Sequence, residues 1–418
     1  MVIITDDENT AFGLDHRGII KDGYPLTSFY RPTNILARDT EKLEIGKLFA
    51  PVLKYNGSPI NALVYGKSGT GKNLVVEYIT DLFIQSAEKR GKKYISIVVS
   101  CKMRTPKWIL QQLLSAVDPS LSDYGTGRSV GEVYTKLHQN MKRKNASLVV
   151  ILDEIDALPP SDLLYDLSRI KKDLPQDLYL VIIGLTNNFN EHIKDIAISS
   201  SFGRRTIDFP SYTTENLRDI LNDRLFALYP DTLETGVIEY IAKKSAIEHG
   251  NARKAIELLA TSAEFAENEK DPQITSIHVN RASDYIEIDN LIKDLIQSPK
   301  HTVLAFIAIA ELQHKLGGSA VLSSPLYKHY CIVCDENLLT PLSSTRFATI
   351  CSSLGSTGLI DVTERVGSHQ KGRTRVHKIT LTENRLHQIM AVLAKEHGYI
   401  INGLSTQKLL SLPDFNEK

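Results

Sequence analysis

The sequence predicts an α/β protein in three parts: a parallel sheet layered with helices, an all-helical block, and a smaller block where helices give way to strands. Three observations predict it. From Arg31 to about Phe209, short continuous apolar runs alternate with longer amphipathic stretches. After Pro210 the strand-like runs stop and only helical periodicity remains. From His301 onward, three helical segments are followed by two strand-like runs.

Each part has a physical basis. A chain of 418 residues is too long for one compact core, so two or three domains are expected. Residues 1–30 are polar, with scattered Gly and Pro, and read as an arm leading into the fold. The runs Ala62–Tyr65, Tyr94–Val99, Leu148–Leu152 and Leu178–Ile183 are short and unbroken, as strands covered on both faces must be. Alternation with helical segments makes the sheet parallel. Residues Glu215–Leu228, Thr235–Lys244 and Ala252–Glu267 read as the helices of the second part, and the charged stretch Tyr285–Lys300 as the lead into the third. The expected boundaries are 1–210, 211–295 and 296–418.

Composition narrows the function. Hydrophobic content of 42% with 23% charged residues is ordinary for a globular protein, and a formal net charge of zero means that any patch attracting a polyanion must be local. No signal-like start and no apolar stretch near 18 residues is found, so neither secretion nor a membrane partner is expected. Four cysteines without a framework suggest a reducing, cytoplasmic setting. Cys331-x-x-Cys334 has no second pair to complete a metal site and reads as two helix positions, one of them core.

The strongest chemical signal follows the first strand: Gly66-Lys-Ser-Gly-Thr-Gly71-Lys72-Asn73, then an amphipathic helix. Glycines permit a tight loop whose N–H groups wrap phosphates, the lysine neutralises β/γ charge, and the helix N-terminus adds its dipole. Ser68, Gly69, Thr70, Gly71, Lys72, Asn73 and Leu74 are the expected nucleotide contacts. A second strand ends in Asp153-Glu154-Ile-Asp156. An acid there can hold Mg²⁺ and its neighbour can polarise water, so Asp153 and Asn73 are the candidate metal ligands and Glu154 the candidate base. Asn187, at another strand end, reads alone as a turn former; beside a phosphate loop it reads as a sensor that orients water. Arg253 opens a helix in Gly250-Asn-Ala-Arg253, against the macrodipole, which suggests another task; a solvated arginine is the plainer alternative.

The third part carries a different signal. Thr340-Pro341 reads as a helix start, with Phe347, Ile350, Cys351 and Leu354 at i, i+3, i+4 and i+7 forming a core face. The other face offers Thr345, Arg346, Thr349 and Ser353. A Gly-rich loop with Lys371, Arg373 and Arg375 joins the two strand-like runs. Residues 341–380 hold six Lys/Arg against two Asp/Glu, a local +4. A helix sized for a groove followed by a basic wing points to double-stranded DNA; a solvated hairpin is the alternative.

Taken together, these residues resemble the archaeal replication initiators related to origin recognition complex subunit one and cell division cycle protein six. The resemblance runs from about Arg31 to Leu381. It rests on Arg38-x-x-Glu41, Gly-Lys-x-Gly-Thr-Gly-Lys at 66–72, Leu-Asp-Glu-Ile-Asp at 152–156, Gly184-Leu-Thr-Asn-Asn, Phe209-Pro-x-Tyr212 with Arg224, and Gly250-Asn-Ala-Arg253. It implies a AAA+ base, a helical lid and a winged-helix domain. It further implies that Ile35 and Tyr212 lie near adenine, that Arg253 is the lid sensor and that Arg224 helps fix the nucleotide. The implied activity is origin binding switched by ATP or ADP, on the nucleoid, with a paralogous initiator and the replicative MCM helicase as partners. The alternatives are an ATP-switched transcription regulator and another AAA+ DNA-remodelling ATPase. Two departures bear on turnover: Asn73 stands where the family has a Thr or Ser ligand to Mg²⁺, and Ala197 where it has an arginine serving a neighbouring site. Weak ATPase activity is therefore expected.

Overall fold

A computed structural model of the chain describes residues 18–158, 163–170, 174–188, 205–356, 358–366 and 373–402. The chain falls into two compact units, Met1–Val279 and Asn280–Lys418. The sheet and the first helical block share the first unit.

The first unit is built on five parallel strands in the order β2-β3-β4-β1-β5. They are β1 (Ala62–Tyr65), β2 (Tyr94–Ser100), β3 (Ser147–Asp153), β4 (Leu180–Thr186) and β5 (Thr206–Asp208). The unbroken apolar runs arise because successive side chains enter different cores. Leu148, Val150 and Leu152 of β3 pack with α3 (Pro106–Val117), α4 (Val130–Lys144) and α5 (Leu163–Arg169). Val149 and Ile151 pack with α1 (Asp39–Tyr55) and α2 (Lys72–Glu88), where Phe49 and Phe83 stack at 4.3 Å. Each such Leu or Ile, fully buried, contributes roughly 1.5–3 kcal/mol. β5 escapes prediction because its three residues hold one apolar side chain, Ile207.

The helical block comprises α6 (Thr214–Asn222), α7 (Val237–Ile247) and α8 (Ala252–Asn268). A single helix over 215–228 is not formed. α6 stops at Asn222 and a short 3-10 turn, Leu225–Ala227, follows, placing Arg224 between them. The described end of the expected arm is not free either: Ile19 is buried and Ile20 bridges to Leu228.

The expected charged linker is a helix, α9 (Ser276–Gln297), with Ile288, Ile292 and Leu295 buried at helical spacing. The second unit continues with α10 (Lys300–Lys315), β6 (Val321–Leu322), α11 (Ser323–Glu336) and α12 (Ser344–Ser356). It is completed by β7 (Ile360–Val366), β8 (Arg373–Ile379) and α13 (Glu383–Lys395). The strands pair antiparallel in the order β6-β8-β7. α12 begins at Ser344, not at Pro341, because Leu342 is held outside it: its carbonyl accepts from the Tyr327 hydroxyl at 2.9 Å. Cys331 and Cys334 lie on α11, Cys334 in the core. Among the described residues no helix is long and apolar enough to cross a membrane.

Candidate nucleotide site and nucleic-acid face

β1 lies between β4 and β5, so its C-terminal end opens where acidic and amide groups from neighbouring strands converge. The loop leaving it can be made only by glycine at two close approaches. A Cβ on Gly66, at φ +154°, would lie 2.4 Å from the Phe209 carbonyl. One on Gly69, at φ +75°, would overlap Asn251 at the start of α8. Gly69 in turn accepts a hydrogen bond from Ala252 N–H at 3.1 Å, so the phosphate loop and the helical block meet backbone to backbone.

A cavity of about 730 Å³ lies over this loop. Ile35, Ser68, Gly69, Gly71, Lys72, Asn73, Leu74, Asp153, Glu154, Asn187, Tyr212, Arg224 and Arg253 all line it. Thr70 does not: it is fully buried, its hydroxyl donates to the Lys67 carbonyl at 2.8 Å, and its own carbonyl accepts from Arg38. The Lys72 ammonium donates to the carbonyls of Gly66 (2.7 Å) and Lys67 (2.9 Å) and to Asn187 Oδ1 (2.8 Å). Burial lowers its pKa to about 8, against the pull of Asp153 and Asp156 and with the push of Arg253 and Arg38. Glu154, in the left-handed region at φ +52°, accepts from Ser100 Oγ at 3.2 Å. Thr186 joins the strand ends by donating to Asp156 at 2.8 Å.

Two further arginines bear on the site, Arg38 from behind the loop and Arg224 on the cavity wall. Arg38 is buried; it donates to the Thr70 and Pro210 carbonyls and to Glu41, and its guanidinium lies 3.9 Å from the Tyr212 ring centre. The Arg-x-x-Glu motif thus braces the loop from below, a role that motif spacing alone did not disclose. Arg224 is 5% exposed and lies over the Tyr30 ring at 4.2 Å, yet its Nε and Nη1 have no hydrogen-bond partner. Burial lowers its pKa. A buried guanidinium left with orphan donors on a cavity wall is prepared for an acceptor from outside the chain. Asn251, which caps α8 by accepting from Lys254 N–H at 3.2 Å, also went unassigned from sequence; its position before the helix was the available signal.

The acidic end of β3 has oxygens suited to a metal ion. Asp153 Oδ2 accepts from the Asn73 amide nitrogen at 2.6 Å and Oδ1 from Glu154 N–H at 2.9 Å. Each oxygen keeps a second lone pair, so Asp153 fits magnesium held through water. Asn73 turns a donor to Asp153, and its oxygen would meet a cation only if the amide turned over and surrendered that bond. Ala197 lies outside the described residues.

In the second unit, Phe347, Cys351 and Leu354 of α12 are buried and Thr345, Arg346 and Thr349 exposed, as the periodicity requires. Arg373 and Arg375 belong to β8 rather than to the loop, because the hairpin ladder runs on to Val366–Arg373. Arg375 is exposed and donates to Ser352 Oγ on α12 at 3.2 Å, tying wing to helix. The Arg373 side chain and Lys371 lie outside the described residues. Beneath them His377 is buried; its ring meets Ser323 Oγ at 3.1 Å, and burial, then Arg375, lowers its pKa.

Known proteins share these features. Residues 58–192 match the AAA domain, 218–284 the Cdc6 AAA+ ATPase-type lid domain, and 293–389 the CDC6 C-terminal winged helix domain. The chain is 32% identical to the ORC1-type DNA replication protein 1 of Aeropyrum pernix, covering 88% of this chain and 93% of that protein. It is 30% identical to the ORC1-type DNA replication protein of Pyrococcus abyssi, covering 95% and 94%. The solved Aeropyrum pernix ORC1 protein in complex with DNA superposes with a TM-score of 0.75 at 28% identity, covering 90% of this chain and 97% of that one. The chain therefore belongs to the ORC1-type DNA replication proteins, with a nucleotide-binding AAA domain, a Cdc6-type lid and a C-terminal winged helix.

Proposed function

We propose that this protein is a nucleotide-switched replication initiator. It binds ATP or ADP, engages double-stranded origin DNA, and helps recruit or load the replicative MCM helicase, alone or beside a paralogous initiator. The observation that carries the nucleotide reading is the shared wall of one cavity: Lys72 from the phosphate loop, Arg224 and Arg253 from the helical block. A nucleotide bound there touches both parts, so its γ-phosphate, present or absent, is felt by the lid.

The proposed roles follow from the contacts. Lys72 exchanges its carbonyl and amide partners for β/γ-phosphate oxygens, and the phosphate charge restores the ammonium that burial disfavours. Ser68, Gly69 and Gly71 to Leu74 present backbone N–H groups to the phosphates. Arg224 satisfies its orphan donors on the nucleotide, Ile35 and Tyr212 bound the base, and Arg253 senses the γ-phosphate. Mg²⁺, when bound, would neutralise phosphate charge, and Asp153 would help to hold it. Glu154 and Asn187 orient the attacking water. Because Asn73 offers no ready inner ligand, retention is favoured over turnover.

For DNA, Thr345, Arg346 and Thr349 enter a groove while Lys371, Arg373 and Arg375 grip phosphate. The relative solved with DNA, whose match spans most of this chain, supports that reading. Mapping the DNA that the chain occupies in cells tests the whole. Occupancy concentrated where replication begins supports initiation; occupancy at promoters without early-replicating sites would identify a transcription regulator instead.

A further inference from the structure

The last turn of α10 and the first two turns of α13 bring together three side chains that the nucleotide and DNA readings do not use. His314 and Glu383 are exposed and His387 is half-buried. Their ligand atoms all lie within 4.8 Å of one another, and the two imidazole rings stand at 89° with centroids 5.9 Å apart. A tetrahedron of roughly 2.0 Å bonds has edges of about 3.3 Å, so small rotamer changes of exposed side chains would close the set.

The surroundings prepare these groups for a metal. His387 Nδ1 lies 2.6 Å from the Glu383 carbonyl, one turn earlier in α13. Only a protonated nitrogen can donate to a carbonyl, so the lone pair is on Nε2, and backbone bonding of one imidazole nitrogen is how metal-ligating histidines are usually oriented. His314 stands at the C-terminus of α10, the negative end of its dipole, where a cation is favoured. Glu383 supplies negative charge at the opposing helix start. Two imidazoles with one carboxylate suit Zn²⁺ better than Mg²⁺ or Ca²⁺ and leave a fourth position for water.

We infer that His314, Glu383 and His387 form a zinc site that clamps α10 to α13. β8 passes between these helices in sequence, and Ile379 N–H donates to Oε1 of Gln313, the neighbour of His314, at 2.7 Å. Zinc there would fix the base of the wing. A second cluster, Glu269, Asp271 and His278, is less suited. His278 is almost fully buried; its Nδ1 accepts from Thr275 N–H at 3.0 Å and its Nε2 lies 3.0 Å from Asp271, so both nitrogens are already engaged.

The test is Zn²⁺ titration of the chelator-stripped full chain by calorimetry, with Co²⁺ absorption reporting tetrahedral geometry. Wild type should bind one zinc at this cluster and gain thermal stability. His314→Ala or His387→Ala should weaken binding by more than about 100-fold, and Glu383→Gln by less. Absence of uptake by wild type at roughly 100 μM zinc would overturn the site. So would undiminished binding by a His314→Ala/His387→Ala double variant, or binding lost only on His278→Ala.

Discussion

The two units offer their ligand-facing groups in opposite ways. The nucleotide cavity is concave, and the two groups on its wall expected to meet phosphate and cation are already committed to neighbours: Lys72 to three oxygens and Asn73 to Asp153. On the winged helix, by contrast, Thr345, Arg346 and Thr349 stand in solvent. A committed group is placed before its ligand arrives and loses little entropy on binding. An exposed one is ordered by the partner, so it contributes less per contact and depends more on salt. Large, nearly all-or-none effects are therefore expected in the first unit and graded ones in the second.

The largest is Lys72→Ala. Removing a buried cation from its phosphate should weaken nucleotide binding by roughly 100-fold or more. Nucleotide co-eluting with wild type and variant on gel filtration measures it, and equal retention would break the comparison at its strong end. Arg346→Ala comes next. A bidentate base contact is worth roughly 1–3 kcal/mol, lost in discrimination between specific and scrambled duplexes rather than in affinity for both. Arg373→Ala and Arg375→Ala should weaken all duplexes alike and flatten log K against log salt by about one unit each. Wild-type affinity and slope would reduce the wing to a solvated hairpin. The smallest effect belongs to His377. Its folded pKa lies below the ordinary 6.5, so the unfolded chain takes the proton first as pH falls. Stability is full above about pH 6.5 and declines below it, by at most about 1.4 kcal/mol per unit. The fall in unfolding temperature between about pH 7.5 and 5.5 should be smaller in His377→Gln.

The same contrast governs what the sequence disclosed. The four longer parallel strands were legible because runs such as Leu148–Leu152 are covered on both faces, and the phosphate loop because its glycines and lysine answer to backbone geometry. β5 was not, since three residues with one buried isoleucine carry no periodicity. The charged stretch Tyr285–Lys300 reads as a lead into the third part because charge masks an apolar stripe of only Ile288, Ile292 and Leu295. Arg38 and Asn251 were underrated for a common reason: each acts on residues 32 or more positions away, Thr70 and Gly69, and spacing cannot report tertiary contact. On the candidate nucleic-acid face, the periodicity of α12 gave the exposed side correctly. The ladder that draws Arg373 and Arg375 into β8 depends on the register with β7, which no local signal fixed.

On the proposed reading, the cavity is built to hold nucleotide rather than to turn it over. Asn73 decides this, because it gives Asp153 a hydrogen bond where a hydroxyl would give the cation a ligand. The direct measurement is single-turnover hydrolysis by the full chain preloaded with ATP, wild type beside Asn73→Thr. A cavity built for retention leaves wild type turning over far below the roughly 1 s⁻¹ floor of ordinary enzymes, most of its ATP kept as ATP, and Asn73→Thr accelerates loss of the γ-phosphate about tenfold or more. Turnover in wild type at a rate typical of a motor, unchanged by threonine, would contradict it.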